Sequence, residues 1–375
     1  MFRRCFEVVI VTGDRRVPFP PARRTPFICF LLLHSCFMII LVTGGAGFVG
    51  ANFVQQYCGS HPHDQIVILD SLTYAANLNF LSALPSNASL MEGDICNKQD
   101  VIAASNGADI IVNFAAESHN DRSLIDPGKF YQTNVFGVLN LVQVALELGI
   151  RFHQVSTDEV FGDLPIDGQQ KFNLESPFNP SSPYSASKAS ADLLVRAWVR
   201  SFGLKATISN CTNNFGKYQD GEKFIPRTIM LALSGRRPVL YGNGANVRDW
   251  ISVEDHCSAI DLIIQKGRIG HTYLIGTDNE RSNLQVVKTI LSYLHLPDDF
   301  YQLVDDRPGH DRRYALDARA TWSELGWQPQ MGNFEQQLPA TVDHYRDNEG
   351  DYAFDTGQGL STGSSRSKFS QNKVQ

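Results

Sequence analysis

The sequence has no excess of basic residues, no paired-cysteine motif, no internal repeat and no apolar run long enough to cross a bilayer comfortably. Its 33 lysines and arginines are outnumbered by 39 aspartates and glutamates, for a formal charge of -6. Such a surface lacks the positive field that holds a phosphate backbone, which excludes nucleic acid as a main partner. The seven cysteines, at 5, 29, 36, 58, 96, 211 and 257, are odd in number and include no C-x-x-C pair. They fit neither a disulfide framework nor a zinc ribbon, and read as reduced thiols of a cytoplasmic protein. No grouping of His, Cys and acidic residues has ligand spacing, so no metal is implied. The longest nearly apolar run, Phe27 to Val42, is broken by His34, Ser35 and Cys36. It falls short of the about 20 residues that a spanning helix needs, so no membrane partner is expected.

What is present can bury a large core: 375 residues, 43% hydrophobic and 19% charged, enough for one large domain or two. Arg3, Arg4, Arg15, Arg16, Arg23 and Arg24 precede the apolar run in the manner of an export signal. Met38, however, stands directly before Ile39-Ile40-Leu41-Val42, and cleavage beyond the apolar run would cut into that first strand. The folded unit is therefore expected to start at Met38, with residues 1–37 a poorly ordered extension or an upstream mis-start. The tail 350–375, rich in Gly, Ser, Asn and Gln, has little to bury and is expected to be disordered.

From Met38 short β-branched runs alternate with longer amphipathic ones, the signature of stacked βαβ units. The expected fold class is α/β, a Rossmann-type doubly wound parallel sheet over mainly 38–210, with a smaller substrate-binding domain over mainly 211–349 and some interleaving. Strands are expected at Ile39 to Thr43, Gln65 to Leu69, Ser89 to Glu92, Ile110 to Phe114, Phe152 to Ser156 and Ala206 to Ser209. Their runs lack strict polar alternation, as strands buried on both faces do. Helices fit Phe48 to Tyr57, Phe130 to Leu148, Tyr184 to Phe202, Ile225 to Leu233 and Leu284 to Leu294, with Gly149 as a C-cap.

Gly44, Gly47 and Gly50 form a G-x-x-G-x-x-G loop between the first strand and the first helix. Glycines there let the backbone approach a pyrophosphate, and the helix N-terminus offers free N–H groups and a partial positive charge. Asp70 ends the second strand, where a carboxylate can accept from an adenosine ribose and repel a 2′-phosphate, favouring NAD over NADP. Asp94-Ile95 and Phe114-Ala115-Ala116 follow later strands at the same sheet edge. Further on, Tyr184 and Lys188 lie four residues apart on a helix and so share a face. For Tyr184 to act as a base near neutrality its pKa must fall by about three units, worth about 4 kcal/mol, which Lys188 and a nicotinamide cation can share. Thr157-Asp158-Glu159 follows the fifth strand and emerges at the cofactor's edge. Two adjacent carboxyls there suit an acid and base pair, because repulsion and desolvation keep one protonated and leave the other ionised.

Taken in order, TGGAGFVG, LDSLTY, EGDI, FAAESHNDRS, STDEVFG, YSASK, CTNNFG, NVRDW and RPGHDRRY resemble the bacterial-type dTDP-glucose 4,6-dehydratases, which are extended short-chain dehydrogenase/reductases. The resemblance covers about residues 39 to 346 and implies a nucleotide-sugar lyase that keeps NAD through its cycle, in a homodimer formed by the helices at 130–148 and 184–202. It implies catalytic roles for Thr157, Asp158, Glu159, Tyr184 and Lys188. It extends the cofactor contacts to Phe48, Val49, Ser71, Leu72, Thr73, Ser118, Thr133 and Asn214. It assigns the sugar nucleotide to Ser118, Thr157, Asn213, Lys223, Phe224, Val239, Tyr241, Arg248, Asn283, Arg307 and His310. Gly221-Glu222-Lys223-Phe224 stands where the family has Pro-Glu-Lys-Leu, which leaves dTDP and UDP both open as the nucleotide, although RPGHDRRY is more like the dTDP enzymes. An NAD-dependent sugar-nucleotide epimerase would use the glycine loop, Tyr184 and Lys188 but has no need of Asp158 and Glu159. A non-catalytic NAD-sensing module would need none of the catalytic set.

Overall fold

The computed structural model describes residues 37–306, 309–330 and 333–348. The expected extension, the expected tail and Arg307 lie outside the described residues. The strands in chain order are β1 (Ile39–Thr43), β2 (Gln65–Asp70), β3 (Ala88–Glu92), β4 (Ile110–Asn113), β5 (Arg151–Thr157), β6 (Ala206–Cys211), β7 (Asn213–Phe215), β8 (Val239–Tyr241), β9 (Val247–Ser252), β10 (Thr272–Ile275), β11 (Glu280–Ser282) and β12 (Gln302–Val304). Seven make one sheet in the order β10-β6-β5-β4-β1-β2-β3, and every pairing in it is parallel. The strand order therefore reverses direction between β1 and β4, the switch point outside whose carboxyl ends ligands bind in doubly wound sheets.

Both faces of the sheet are covered. Ile40 and Val42 of β1 pack on one side with Phe53, Val54 and Tyr57 of the helix Phe48–Ser60 and with Ile260 and Ile263 of the helix Val253–Lys266. Leu41 points to the opposite side, as strand alternation requires, and meets Val101, Leu141, Val142, Ala191 and Val195 from the helices Lys98–Ala104, Val138–Leu148 and Pro183–Phe202. A separate smaller core joins Phe215, Ile229, Trp250, Ile290, Phe334 and Leu338, where β7, β9 and β11 form a three-stranded sheet. Among the described residues no helix is long and apolar enough to cross a membrane.

Two departures from the sequence reading have physical causes. The helix expected to run unbroken from Phe130 to Leu148 is an α-helical turn at Pro127–Tyr131, a π-helical turn at Gln132–Gly137, and α-helix again at Val138–Leu148. Inside the wide turn the Asn134 amide accepts from the Glu117 N–H (2.9 Å) and donates to the Glu117 carbonyl (2.9 Å) and Ser187 Oγ (2.8 Å). Those bonds tie it to the loop after β4 and to a neighbouring helix. Beyond residue 211 the chain is also more regular than its sequence suggests. β10 returns to the large sheet beside β6, and the helices Val253–Lys266 and Phe334–Asp347 were not anticipated. Their strand partners are only three to six residues long, too short to carry a periodic signal.

Two buried histidines give the fold an acid sensitivity. His153 bonds Thr207 Oγ1 (2.9 Å) and Ser209 Oγ (3.1 Å), and His256 Nδ1 bonds Asn214 Oδ1 (2.8 Å). Burial pushes both imidazoles down to a pKa of about 3. Each is thus neutral in the folded chain and takes up a proton only on unfolding, so the stability it contributes is complete above its unfolded value near 6.5 and is lost as pH falls toward 3. The expected slope is up to about 1.4 kcal/mol per pH unit for each histidine. Urea unfolding across this window should show a shallower slope in His153→Gln than in the unsubstituted protein; equal slopes would contradict the assignment.

Candidate active site

The glycine loop sits at the switch point. Gly44 has φ +69°, and a Cβ there would stand 2.5 Å from the Ala115 nitrogen, so only glycine lets the turns after β1 and β4 cross this closely. A Cβ on Gly50 would meet the Gly44 carbonyl oxygen at 2.3 Å. Gly47 is the N-cap of the helix Phe48–Ser60, and no side chain caps it. The first-turn N–H groups, including those of Phe48 and Val49, lack helical acceptors, as at any helix start. The Asp70 carboxylate accepts from the Ala46 N–H and the Leu72 N–H, both at 2.9 Å, which fixes it between the glycine loop and its own turn. Burial raises its pKa and those two bonds pull it down. Ser71 and Thr73 line the same turn, where Leu72 has φ +50°. Asp94 caps the turn after β3 by accepting from the Cys96 N–H. Ile95 is buried, and its carbonyl accepts from Asn140. Phe114, Ala115 and Ala116 follow β4 half-buried, and Thr133 lies in the π-helical turn.

The catalytic candidates converge from two elements. Thr157 ends β5 and caps a short 3-10 turn, Asp158–Phe161, accepting from the Glu159 N–H at 3.2 Å. The turn drives Asp158 inward, where it is 1% exposed, and leaves Glu159 half-buried. Thr157 Oγ1 donates to Asp158 Oδ1 at 3.2 Å, while Oδ2 has no partner among the described residues. Burial first, then the Glu159 and Asp249 carboxylates, hold the Asp158 pKa well above the usual carboxyl range. Glu159 Oε2 accepts from Asn120 Nδ2 at 2.9 Å.

Tyr184 and Lys188 come from the helix Pro183–Phe202, which starts at a Ser182 capping box and Pro183. Both are buried. Lys188 Nζ donates to the Val155 carbonyl at 2.8 Å. Burial lowers the Lys188 pKa and the buried Asp192 one turn further on raises it. Burial and the Glu159 and Asp158 carboxylates push the Tyr184 phenol up, against a hydrogen bond with Thr157 that pulls it down. The ligand-free phenol is therefore protonated, and becoming a base depends on positive charge arriving beside it.

The polar candidates beyond β6 are more scattered. Lys223 Nζ donates to the Ser118 carbonyl at 2.7 Å, and burial lowers its pKa. Arg248 is 6% exposed, lies over the Tyr314 ring at 4.2 Å and donates to the carbonyls of Val247 (2.7 Å) and Asp311 (2.9 Å), so part of its donor fork is engaged in the fold. Tyr241 meets His310 edge-on at 6.0 Å, and His310 Nδ1 is 2.6 Å from Asp306 Oδ1. Val239 lies on the same strand as Tyr241, and the Asn283 N–H donates to the Asn246 carbonyl. Asn213 Oδ1 and the adjacent Thr212 Oγ1 are buried without partners among the described residues. Two candidates are taken up by structure: Phe224 stacks on Trp250 in the second core, and the Asn214 amide bonds His256 and the Thr212 carbonyl.

The sequence reading passed over Asn120 and Asp192, which contact or face the catalytic groups. Asp192 had a signal: it continues the Tyr184, Lys188 spacing by another four residues on the same helix face. Asn120 had none, because its partner is 39 residues away. The packing of the glycine loop yields a test. Gly50→Ala should cost about 1–3 kcal/mol, read by denaturant unfolding. Gly59→Ala, whose Cβ would meet nothing within 4 Å, should be neutral or stabilise by up to about 1 kcal/mol. Equal effects would remove the case for a close crossing at Gly50.

The model of the GDP-mannose 4,6 dehydratase family matches residues 41–339. The chain is 51% identical over 312 residues to a dTDP-glucose 4,6-dehydratase of Mycobacterium tuberculosis, covering 83% of this chain and 94% of that one. In structure it is similar to DesIV, a dTDP-glucose 4,6-dehydratase of Streptomyces venezuelae solved with NAD bound. The TM-score is 0.81 at 42% identity, covering 84% of this chain and 99% of that one. It is also similar to a UDP-glucose 4-epimerase of Thermus thermophilus, with a TM-score of 0.75 at 26% identity, covering 83% and 100%. The model match puts the chain in the GDP-mannose 4,6 dehydratase family, and by sequence identity it belongs, within that family, to the dTDP-glucose 4,6-dehydratases.

Proposed function

We propose that this protein is an NAD-dependent hydro-lyase that converts dTDP-glucose to dTDP-4-keto-6-deoxy-D-glucose, a precursor in deoxysugar biosynthesis of the rhamnose type. One observation carries the proposal beyond the family: two adjacent carboxyls in unlike surroundings, Asp158 enclosed and Glu159 half-exposed, beside Tyr184. The glycine crossing and the fixed Asp70 suit a dinucleotide without a 2′-phosphate, with its pyrophosphate at the N-terminus of Phe48–Ser60. Asp158 Oδ2, Thr212 Oγ1 and Asn213 Oδ1, which have no partner among the described residues, suit a polar substrate, since most buried polar atoms are paired.

NAD, held at the glycine loop and Asp70, would supply both a hydride acceptor and a hydride donor, so that the cycle would carry no net oxidation. Tyr184, with Thr157 and Lys188, removes the O4 proton; Lys188 supplies the fixed cation that favours the phenolate. Glu159 removes the C5 proton, made acidic by the C4 ketone. Asp158, kept protonated by burial, gives its proton to the C6 oxygen, which leaves as water. Arg248, Lys223, Asn213, Asn283 and Arg307 would hold the diphosphate and base, with Ser118, Phe224, Val239, Tyr241 and His310 around them. The protein would act in the cytoplasm as a homodimer. Phe136 and Leu193, on the two segments assigned to the pairing bundle, are 55% and 54% exposed, as an unpaired apolar surface would be.

The likeness to an epimerase makes C4 chemistry alone the second reading. Purified protein started at Met38 should convert dTDP-glucose to a product lighter by one water without added NAD, followed by mass and by the alkali absorbance of the 4-keto sugar. Better turnover of UDP-glucose would overturn the nucleotide, and unchanged mass with both sugars would overturn the dehydratase. Asp158→Asn should lower dehydration about 10²- to 10⁴-fold while C4 oxidation persists; equal loss of both steps would count against Asp158 as the acid.

A further inference from the structure

Asn120 belongs to none of the sets above, yet it bonds the candidate base Glu159 and the residue that starts the Tyr184 helix. It opens the short helix Asn120–Ile125 in the loop after β4. Its Nδ2 donates to Glu159 Oε2 at 2.9 Å, and its Oδ1 accepts from Ser182 Oγ at 2.8 Å. Ser182 is the N-cap of the helix that carries Tyr184, and its Oγ already accepts from the Ser185 N–H at 3.1 Å. The hydroxyl donates to Asn120 Oδ1, with Ser185 Oγ its other neighbour at 3.0 Å. A carboxylate only accepts, so Glu159 selects the donor end of the amide, and the Ser182 hydroxyl, which can donate, meets the oxygen end.

We propose that Asn120 is a positioning residue for the elimination step. It holds the Glu159 carboxylate at the angle from which it meets the C5 proton, and it ties that carboxylate to the start of the Tyr184 helix. This rests on Glu159 being the C5 base. In the step served, Glu159 takes the C5 proton, the C5–H electron pair becomes the C5–C6 double bond, and the C6–O bond breaks. The departing oxygen receives the Asp158 proton and leaves as water. A glutamate has three side-chain torsions, and without a fixed partner its carboxylate samples positions an ångström or more apart, a displacement that costs about 10²-fold in rate. The oxidation at C4 uses Tyr184 and does not pass through Glu159. Asn120 therefore acts on one half of the reaction, which a residue that merely supports the fold would not do.

The test compares Asn120→Ala, the isosteric Asn120→Asp, which lacks the amide donor, and Glu159→Gln in NAD-loaded protein with dTDP-glucose. It measures kcat, KM, uptake of solvent deuterium at C5 and the steady-state fraction of reduced nicotinamide. Both Asn120 variants should lose roughly 10- to 100-fold in kcat with little change in KM. The reduced fraction should rise and C5 exchange should slow, because oxidation outruns elimination. Wild-type kcat in both, with Glu159→Gln blocked in elimination, would overturn the role of Asn120 and leave the reaction standing. A loss of kcat with an unchanged reduced fraction would make Asn120 a fold support only. Normal elimination in Glu159→Gln would instead remove Glu159 as the base, and the role of Asn120 with it.

Discussion

A row of buried hydrogen bonds across the middle of the large sheet sets where everything else stands. Thr43 Oγ1 donates to Asn113 Oδ1 at 2.6 Å, and Asn113 Nδ2 donates to Gln154 Oε1 at 2.9 Å, which links the last residues of β1 and β4 to the middle of β5. All three polar side chains are buried. A slip in register would leave them unpaired in the interior, at a cost of about 1–3 kcal/mol for each lost bond. The row thereby fixes the register of the three strands, with β5 running on to Thr157 beyond the ends of β1 and β4. The glycine loop leaves β1, Phe114 to Ala116 leave β4, and Thr157 to Glu159 leave β5, so three separate pieces of chemistry reach one edge at a fixed spacing. Because all seven strands are parallel, that edge collects carboxyl ends only.

The sequence was most informative where a feature is local. The six strands expected before residue 211 are present, with ends shifted by at most two residues, and the clearest of them, β1, β2 and β4, are short runs rich in Val and Ile bounded by turn residues. The glycine loop was visible for the same reason: Gly44 and Gly50 are required by contacts within a few residues of themselves and by one crossing. Tyr184 and Lys188 were visible because helix geometry alone puts them together. What sequence could not supply is whatever depends on contact between distant segments. Asn134 widens a helical turn because Glu117 and Ser187 are there to bond it. Phe224 stacks in the second core because β9 brings Trp250 beneath it. Asn214 is held by His256, 42 residues away. None of these pairings leaves a periodic or spaced trace.

The candidate site concentrates buried charge. Lys188, Asp158, Asp192, Arg248 and Asp249 are each less than a tenth exposed, and charged residues are seldom buried so completely unless paired. Some are compensated by structure: Asp249 accepts from the N–H groups of Asn279 (2.7 Å) and Thr277 (3.2 Å), and even so burial brings it up to about 6. Asp158 and Asp192 each leave one oxygen unpartnered among the described residues, but Asp192 faces Lys188 whereas Asp158 has the carboxyls of Glu159 and Asp249 beside it. Desolvation of this kind lowers the stability of the free protein, and is kept where it sets a protonation state that chemistry requires.

The same burial distinguishes the two carboxyls in the roles proposed for them. Asp and Glu differ little in intrinsic acidity, about 3.9 against 4.3, so composition cannot assign the acid and the base, and in water both would be ionised. The difference arises from the backbone. The 3-10 turn that Thr157 caps rotates successive side chains by about a third of a circle, so consecutive residues cannot face the same surroundings. Asp158 turns under the sheet edge, toward Asp249 and Arg248, where the neutral form is favoured. Glu159 turns toward Asn120, at a place where solvent still reaches it. The longer glutamate arm extends from the rim, and the shorter aspartate arm stays within the wall. A swap of the two residues would put the flexible carboxyl in the enclosed position and the short one at the rim, so the acid and base roles proposed for them depend on the order Asp-Glu along the chain as well as on the presence of both.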